Sequence, residues 1–161
     1  MTSRSAQLRR IRIALSIFMV GLVLSGLTAF PLLTEVNAIV SVLPDARSDN
    51  PSTFTAWILK VQAALTDVNE RYPFLPYGTD WLAFGHLVIA IAFIGPWRDP
   101  VRNIWVIEFG LIACAAVIPL ALLAGPIRGI PFWWQLIDCS FGVFGAIPLL
   151  MARSMTRSIS P

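Results

Sequence analysis

The sequence has little charge. Only 13% of its 161 residues are Asp, Glu, Lys or Arg, where about a quarter is usual in a soluble domain. Together with a hydrophobic share of 57%, this composition excludes an ordinary soluble domain and indicates a membrane protein. The net charge of +3 comes mainly from arginines beside apolar runs. That placement does not indicate a nucleic-acid partner.

Residues that carry metal, redox or hydrolytic chemistry are also scarce. Cys114 and Cys139 form no CxxC pair, which argues against a disulfide framework and a zinc site. His86 is the single histidine, so a bis-histidine haem is excluded, while a five-coordinate or mixed-ligand haem stays open. HExxH, GxSxG and phosphate-loop motifs are absent. We therefore assign no catalytic or metal-binding residue, expect no cofactor although a haem or quinone stays open, and favour a protein that is not an enzyme.

Four apolar stretches are long enough to form transmembrane helices, which need about 20 residues, with a range of roughly 17 to 25. They are residues 13–33, 81–97, 104–124 and 132–152. A cleavable signal peptide is the alternative for the first stretch, but its apolar run is longer than a signal peptide has. The sequence therefore predicts an all-α integral membrane protein, with a single membrane domain over residues 1–161 that forms an antiparallel four-transmembrane-helix bundle.

Arginines mark one side of this bundle. They lie in the N-terminal tail, in the second connection and in the tail of residues 153–161: Arg4, Arg9, Arg10, Arg12, Arg98, Arg102, Arg153 and Arg157. Cytoplasmic segments of membrane proteins are enriched in such residues. We expect the protein to lie in a bacterial cytoplasmic membrane, with both termini on the cytoplasmic side.

The outer loop of residues 34–80 contains an amphipathic pattern. From Phe54 to Tyr72 apolar residues recur at intervals of three and four, and Pro51 and Pro73 bound the segment. The pattern predicts an extracytoplasmic helix that either lies among the outer lipid headgroups or docks onto the bundle.

Polar and small residues of the fourth stretch share one face. Gln135, Asp138, Gly142 and Gly145 repeat at intervals of three and four. Small residues allow helix backbones to approach closely in lipid, and polar ones bond across the contact. We expect this face to meet a small-residue face of the first helix around Gly21.

One candidate site follows from depth in the membrane. His86 and Asp138 are about five and six residues from the outer ends of their helices, which places both roughly 8 to 9 Å deep. Buried acids in membranes are usually paired, protonated or in contact with water, and often functional, so we predict that these two side chains meet. The candidate ligand or proton site comprises Thr28, His86, Arg128, Gln135 and Asp138.

A second candidate cluster lies at the cytoplasmic side. Glu108 is about four residues into the third helix, close to the interface. At that depth a carboxylate can pair with arginines whose side chains reach the headgroups. We predict a structural ion pair of Glu108 with Arg102, or with Arg12 or Arg153.

Three functions fit these features. The first is a non-catalytic subunit, assembly or scaffold protein that contacts the lipid bilayer and a membrane protein partner or further copies of itself, with a structural His86–Asp138 contact. The second is a binding protein for an apolar ligand such as a lipid or quinone, with its site on the outer side. The third is a small proton-coupled transporter that acts as an oligomer. We favour the first.

Overall fold

The structure, a computed structural model, describes residues 4–159, and every regular element in that range is an α-helix. Four stretches in it are long and apolar enough to cross a membrane: α1, α4 together with α5, α6 and α7. The all-α class and the four candidate membrane spans are therefore confirmed. The helices are α1 (Arg4–Ala29), α2 (Leu32–Val42), α3 (Thr53–Arg71), α4 (Tyr77–Ala92), α5 (Ile94–Arg98), α6 (Ile104–Ile127) and α7 (Phe132–Ile159).

The first span starts and ends earlier than the predicted residues 13–33. Helix α1 ends at Ala29, and a separate helix, α2, follows directly after Pro31. Proline has no amide hydrogen and its ring crowds the preceding turn, which explains a break at this point. Helix α2 occupies the beginning of the predicted outer loop, where no helix was expected.

The last two spans are longer than predicted, and their prolines lie inside the helices. Helix α6 contains Pro119 and Pro126, and α7 continues past Pro148 to Ile159. The backbone of α6 leaves the helix at Gly129, whose φ of 66° is in the left-handed region. A glycine with this conformation is a common helix stop.

The chain divides into two compact units, of which the first comprises residues 1–22 and 89–161. Its interior is apolar: Ile11 and Leu15 of α1, Phe93, Ile107 of α6 and Leu149 of α7 are completely buried. Helices α6 and α7 are the most extensively paired elements.

Close contacts between α6 and α7 run in opposite directions along the two helices. Gly110 lies beside Leu149, Cys114 beside Gly142, and Gly125 beside Gln135. Residue numbers therefore rise along α6 as they fall along α7, as in a helical hairpin. The short connection of residues 128–131 is consistent with this arrangement.

The second unit comprises residues 23–88. Helices α2 and α3 pack together, with Val36 and Ile58 buried, and Gln62 Nε2 donates a 2.8 Å hydrogen bond to Asn37 Oδ1. The end of α1 approaches α4 at Gly26, where a Cβ would lie 2.8 Å from the carbonyl oxygen of Ala83. Only glycine permits an approach as close as this one.

The start of α3 is held by a small polar network. Ser52 Oγ accepts a hydrogen bond from the backbone N–H of Thr55, the usual N-cap contact. The Asp45 carboxylate accepts two further hydrogen bonds, one from the buried Thr55 hydroxyl and one from the backbone N–H of Ser52. These bonds connect the preceding loop to the first turn of α3.

We expect this network to weaken in acid. The hydrogen bonds from Thr55 and Ser52 favour the ionised carboxylate and lower the pKa of Asp45 from 3.8 to about 2. The folded protein therefore binds this proton less readily than the unfolded chain, so the contribution to stability is complete above about pH 4 and is lost as the pH falls through about 2. NMR of the Ser52 amide in detergent should show this transition.

The matched control is the exposed neighbour Asp49. Asp45→Asn should remove the pH dependence of the Ser52 amide between about pH 4 and 2, and Asp49→Asn should leave it unchanged. An identical titration in both variants would show that Asp45 is not the group that controls the Ser52 amide.

Large apolar side chains remain exposed on all four candidate spans. Examples are Ile17 on α1, Ile91 on α4, Ile112 on α6 and Phe144 on α7, each more than 60% exposed. Soluble monomers rarely expose apolar patches of this extent. Four apolar helices with surfaces of this kind suggest a multi-pass membrane protein.

Candidate functional site

The polar residues of α7 that were predicted to share a face have different environments. Gln135 is 3% exposed, and its Nε2 donates a 2.8 Å hydrogen bond to the carbonyl oxygen of Ile130. Its side chain also lies directly against Gly125, where a Cβ would approach the Gln135 Cδ to 2.5 Å. Gln135 therefore stabilises the turn that joins α6 to α7.

Asp138 lies one turn further along α7, and its carboxylate has no such partner. The side chain is half-buried. Within the described residues of its own unit, 4–22 and 89–159, no donor bonds to this carboxylate and no cation pairs with it. An isolated carboxylate on a membrane-spanning helix is costly. If α7 crosses a membrane, Asp138 requires a contact that its own unit does not provide.

His86 and Thr28 belong to the second unit, and both bond to their own helices. His86 Nδ1 lies 2.9 Å from the carbonyl oxygen of Leu82, and Thr28 Oγ1 donates to the carbonyl oxygens of Leu24 and Ser25. A carbonyl oxygen only accepts, so His86 Nδ1 carries a proton. When the imidazole is neutral, Nε2 is then an acceptor and remains available for one further contact.

The five candidate residues are divided between the two units. Thr28 and His86 lie in residues 23–88, whereas Arg128, Gln135 and Asp138 lie in the first unit. Arg128 is the exposed residue that follows α6, and its backbone N–H donates to the carbonyl oxygens of Ala124 and Gly125. The predicted meeting of His86 and Asp138 stays a prediction.

The predicted close contact of α7 with Gly21 is replaced by one with α6. Apart from the neighbouring backbone of its own helix, no described atom lies within 4 Å of a Cβ built on Gly21. Gly142 instead contacts the backbone of α6 at Cys114, and Gly145 lies between the Cys114 sulfur and the ring of Phe18. The small residues of α7 therefore allow close packing of α7 on α6. Helix α1 contacts that pair through the large side chain of Phe18.

Glu108 is the centre of an ion-pair cluster. Its Oε1 accepts hydrogen bonds from Arg153 Nε and from an Arg157 terminal nitrogen, both at 3.0 Å. The two arginines are four residues apart on α7 and so lie on one face. Arg102, which the sequence placed beside Glu108, makes a different contact: its backbone N–H donates to Asp99 Oδ1. The cluster connects the start of α6 to the end of α7.

We expect the stability of the protein to depend on the charge of Glu108 more than on its size. Glu108→Gln should lower the melting temperature in detergent by a few degrees, because two charge-assisted hydrogen bonds become weaker ones. Glu108→Arg should be more harmful, since it places three cations together, and adding Arg153→Glu should restore part of the loss. A double variant no more stable than Glu108→Arg would contradict the pairing.

The sequence did not predict a cavity at the arginine-rich end of the first unit. It has a volume of about 480 Å³ and is lined on one side by α1 and on the other by Trp97 of α5. A neighbouring cavity of about 390 Å³ lies between α1 and the connection that precedes α6. Arg12 lines both. The signal available in the sequence was the combination of an interfacial tryptophan with arginines of two separate segments.

Among residues 4–159, no group of three or more His, Cys, Asp or Glu side chains is placed to hold a metal ion. Comparison with protein-family models, with curated proteins and with solved structures gave no match.

Proposed function

We propose that this chain is a non-catalytic membrane subunit or assembly protein that binds another membrane protein, or a second copy of itself, through the face of α7 that carries Asp138. The observation that supports the proposal is the half-buried Asp138 carboxylate, which has no partner among the described residues of its own unit. In lipid such a group gains much from any donor on a neighbouring helix.

The proposal includes a specific membrane arrangement. The four candidate spans form an antiparallel bundle with both termini on the cytoplasmic side of a bacterial cytoplasmic membrane, and α3 is an amphipathic helix on the outer side. The arginines of the two tails and of the connection after α5 support this orientation. A reporter fused after Arg157 should give a cytoplasmic signal, and an extracytoplasmic signal would overturn the arrangement.

Within that bundle, His86 is proposed as the residue that meets Asp138. Since His86 Nδ1 already bonds to Leu82, only Nε2 is free for the contact. A neutral Nε2 and an ionised carboxylate are both acceptors, so the two can bond only when one proton lies between them. The pair is then structural, and it orients Asp138 toward the donor of a partner helix.

The test compares three variants for recovery of the assembled complex after purification in mild detergent. Asp138→Leu removes the polar group, and the complex should fall about three- to fifteenfold, the range expected for one interhelical hydrogen bond in a membrane. Asp138→Asn keeps size and hydrogen bonding, so assembly should remain close to that of the native chain. Glu70→Gln, an exposed change on α3, is the matched control.

Three outcomes would contradict this function. Unchanged assembly in Asp138→Leu would remove its main support. Normal assembly of Asp138→Asn together with loss of a pH-dependent flux would favour the proton-coupled transporter instead. A lipid or quinone that is bound by the native chain and lost in His86→Ala would favour the ligand-binding alternative.

A further inference from the structure

The arginine-rich end of the first unit contains a groove that is apolar along one wall and positively charged at one end. Ile13, Ile17 and Val20 of α1 form an apolar wall, and each of these side chains is more than 50% exposed. Arg9 and Arg12 lie at the end of that wall. Arg12 and Val20 are eight residues apart, about 12 Å along the helix, which is most of one bilayer leaflet of about 15 Å.

Arg12 is held in place by Trp97. Arg12 Nε donates a 3.2 Å hydrogen bond to the carbonyl oxygen of Trp97, and the guanidinium carbon lies 5.2 Å from the centre of the indole ring. The indole N–H in turn donates to the Ser16 hydroxyl at 3.1 Å. Tryptophan prefers the level of the lipid headgroups. Trp97 thus holds the Arg12 guanidinium in place, with donors still free for an anion, and the preference of tryptophan places this cation near headgroup level.

No carboxylate among the described residues forms an ion pair with the arginines of the groove. The neighbouring cavity, which shares Arg12, adds three more arginines and one carboxylate: Arg4, Arg98, Arg102 and Asp99. Asp99 Oδ1 accepts a bond from the Arg102 backbone N–H. Among the described residues, none of these arginines, nor Arg9, forms an ion pair. An anion is therefore the complementary occupant, and the apolar wall requires that it carry a hydrocarbon chain.

We propose that this groove binds an anionic phospholipid, with the phosphate at Arg9 and Arg12 and one acyl chain along Ile13, Ile17 and Val20. The excess of arginines beside Arg12 repels the cationic headgroup of a zwitterionic lipid, so the groove selects for net negative charge. Basic pockets at the ends of membrane helices bind lipid phosphates by the same physics. The site goes beyond the proposed function, because it concerns α1 and α5 and not the Asp138 face of α7.

The experiment uses native mass spectrometry of the full chain, released from nanodiscs that contain equal amounts of phosphatidylglycerol and phosphatidylcholine with identical acyl chains. The native chain should retain phosphatidylglycerol preferentially. Arg12→Gln should reduce that retention about fivefold, the effect of one arginine near a lipid phosphate. Arg10→Gln, an exposed neighbour that does not line the groove, is the matched control and should retain the lipid normally.

A second pair of variants tests the acyl chain. Ile17→Trp fills the groove without adding polarity and should lower retention of phosphatidylglycerol, whereas Ile112→Trp, on an exposed face of α6 outside the groove, should not. Equal retention of the two lipids by the native chain, or equal losses in Arg12→Gln and Arg10→Gln, would overturn the proposal. Displacement of the lipid by millimolar inorganic phosphate would show an anion site without lipid selectivity and would also overturn it.

Discussion

Replacing Gly142 with alanine is expected to destabilise the α6–α7 pair by about 2–3 kcal/mol, the upper part of the usual range for overpacking. A Cβ at this position would meet the carbonyl oxygen of Cys114, and Val117 Cβ would lie 3.5 Å away. The obstacle is helix backbone, which cannot rotate aside as a side chain can. The helices must separate or α6 must bend. Equilibrium unfolding in mixed detergent micelles measures the loss.

Gly21→Ala is the matched control for this prediction. The same change on the candidate span α1 meets no described atom within 4 Å apart from the neighbouring backbone of its own helix. Alanine is the better helix former by up to about 1 kcal/mol, so Gly21→Ala should be neutral or slightly stabilising. Equal destabilisation by the two changes would show that the close α6–α7 contact is not what makes Gly142 necessary.

This contrast also shows what a single sequence can say about small residues. Gly21 and Gly142 both lie on helices with small or polar neighbours at intervals of three and four, and spacing alone assigned both to close contacts. Spacing identifies a face but not the helix that covers it. The partner of Gly142 depends on which backbone passes nearby, and that is decided by the α6–α7 turn, where Gln135 bonds to Ile130.

Helix existence was more predictable than helix ends. The apolar runs predicted the four spans, and the interval of apolar residues after Pro51 predicted a helix where α3 is found. Proline was a less certain guide: Pro31 separates two helices, whereas Pro126 and Pro148 lie inside theirs. A proline interrupts a helix only if neighbouring contacts do not hold the backbone in line, and those contacts are tertiary.

The candidate site as a whole stays a prediction, but the environments of two of its members could not be read from the sequence. Gln135 and Asp138 are both polar residues on one face of α7, yet Gln135 lies against Gly125 and bonds to Ile130, while no described donor of its unit bonds to Asp138. The groove at Arg12 was missed because its walls come from α1 and α5, about 80 residues apart in the chain. Only their packing brings Trp97 to Arg12.

Truncation of Phe93 is expected to be the most harmful change in the apolar interior of the first unit. The side chain is completely buried, its ring centre lies 4.7 Å from that of Phe18, and a Cβ on Gly110 would be 2.7 Å from its Cζ. Phe→Ala costs about 3–5 kcal/mol in soluble proteins. Here we expect about 2–3 kcal/mol, because lipid is as apolar as the interior and only the lost packing remains.

The interpretation of Phe93 depends on its contact with Gly110, and a double-mutant cycle tests that contact. Gly110→Ala alone should be destabilising, since its methyl group would press on the Phe93 ring and on Leu149. In a Phe93→Ala background the same methyl group enters the space that the ring has left. The double variant should therefore lose less stability than the sum of the two single losses, by about 1 kcal/mol or more. Phe144→Ala, on an exposed side chain of α7, is the control and should cost little. Strictly additive losses would show that Phe93 does not pack on Gly110, and α6 would then need another reason for a glycine at this position.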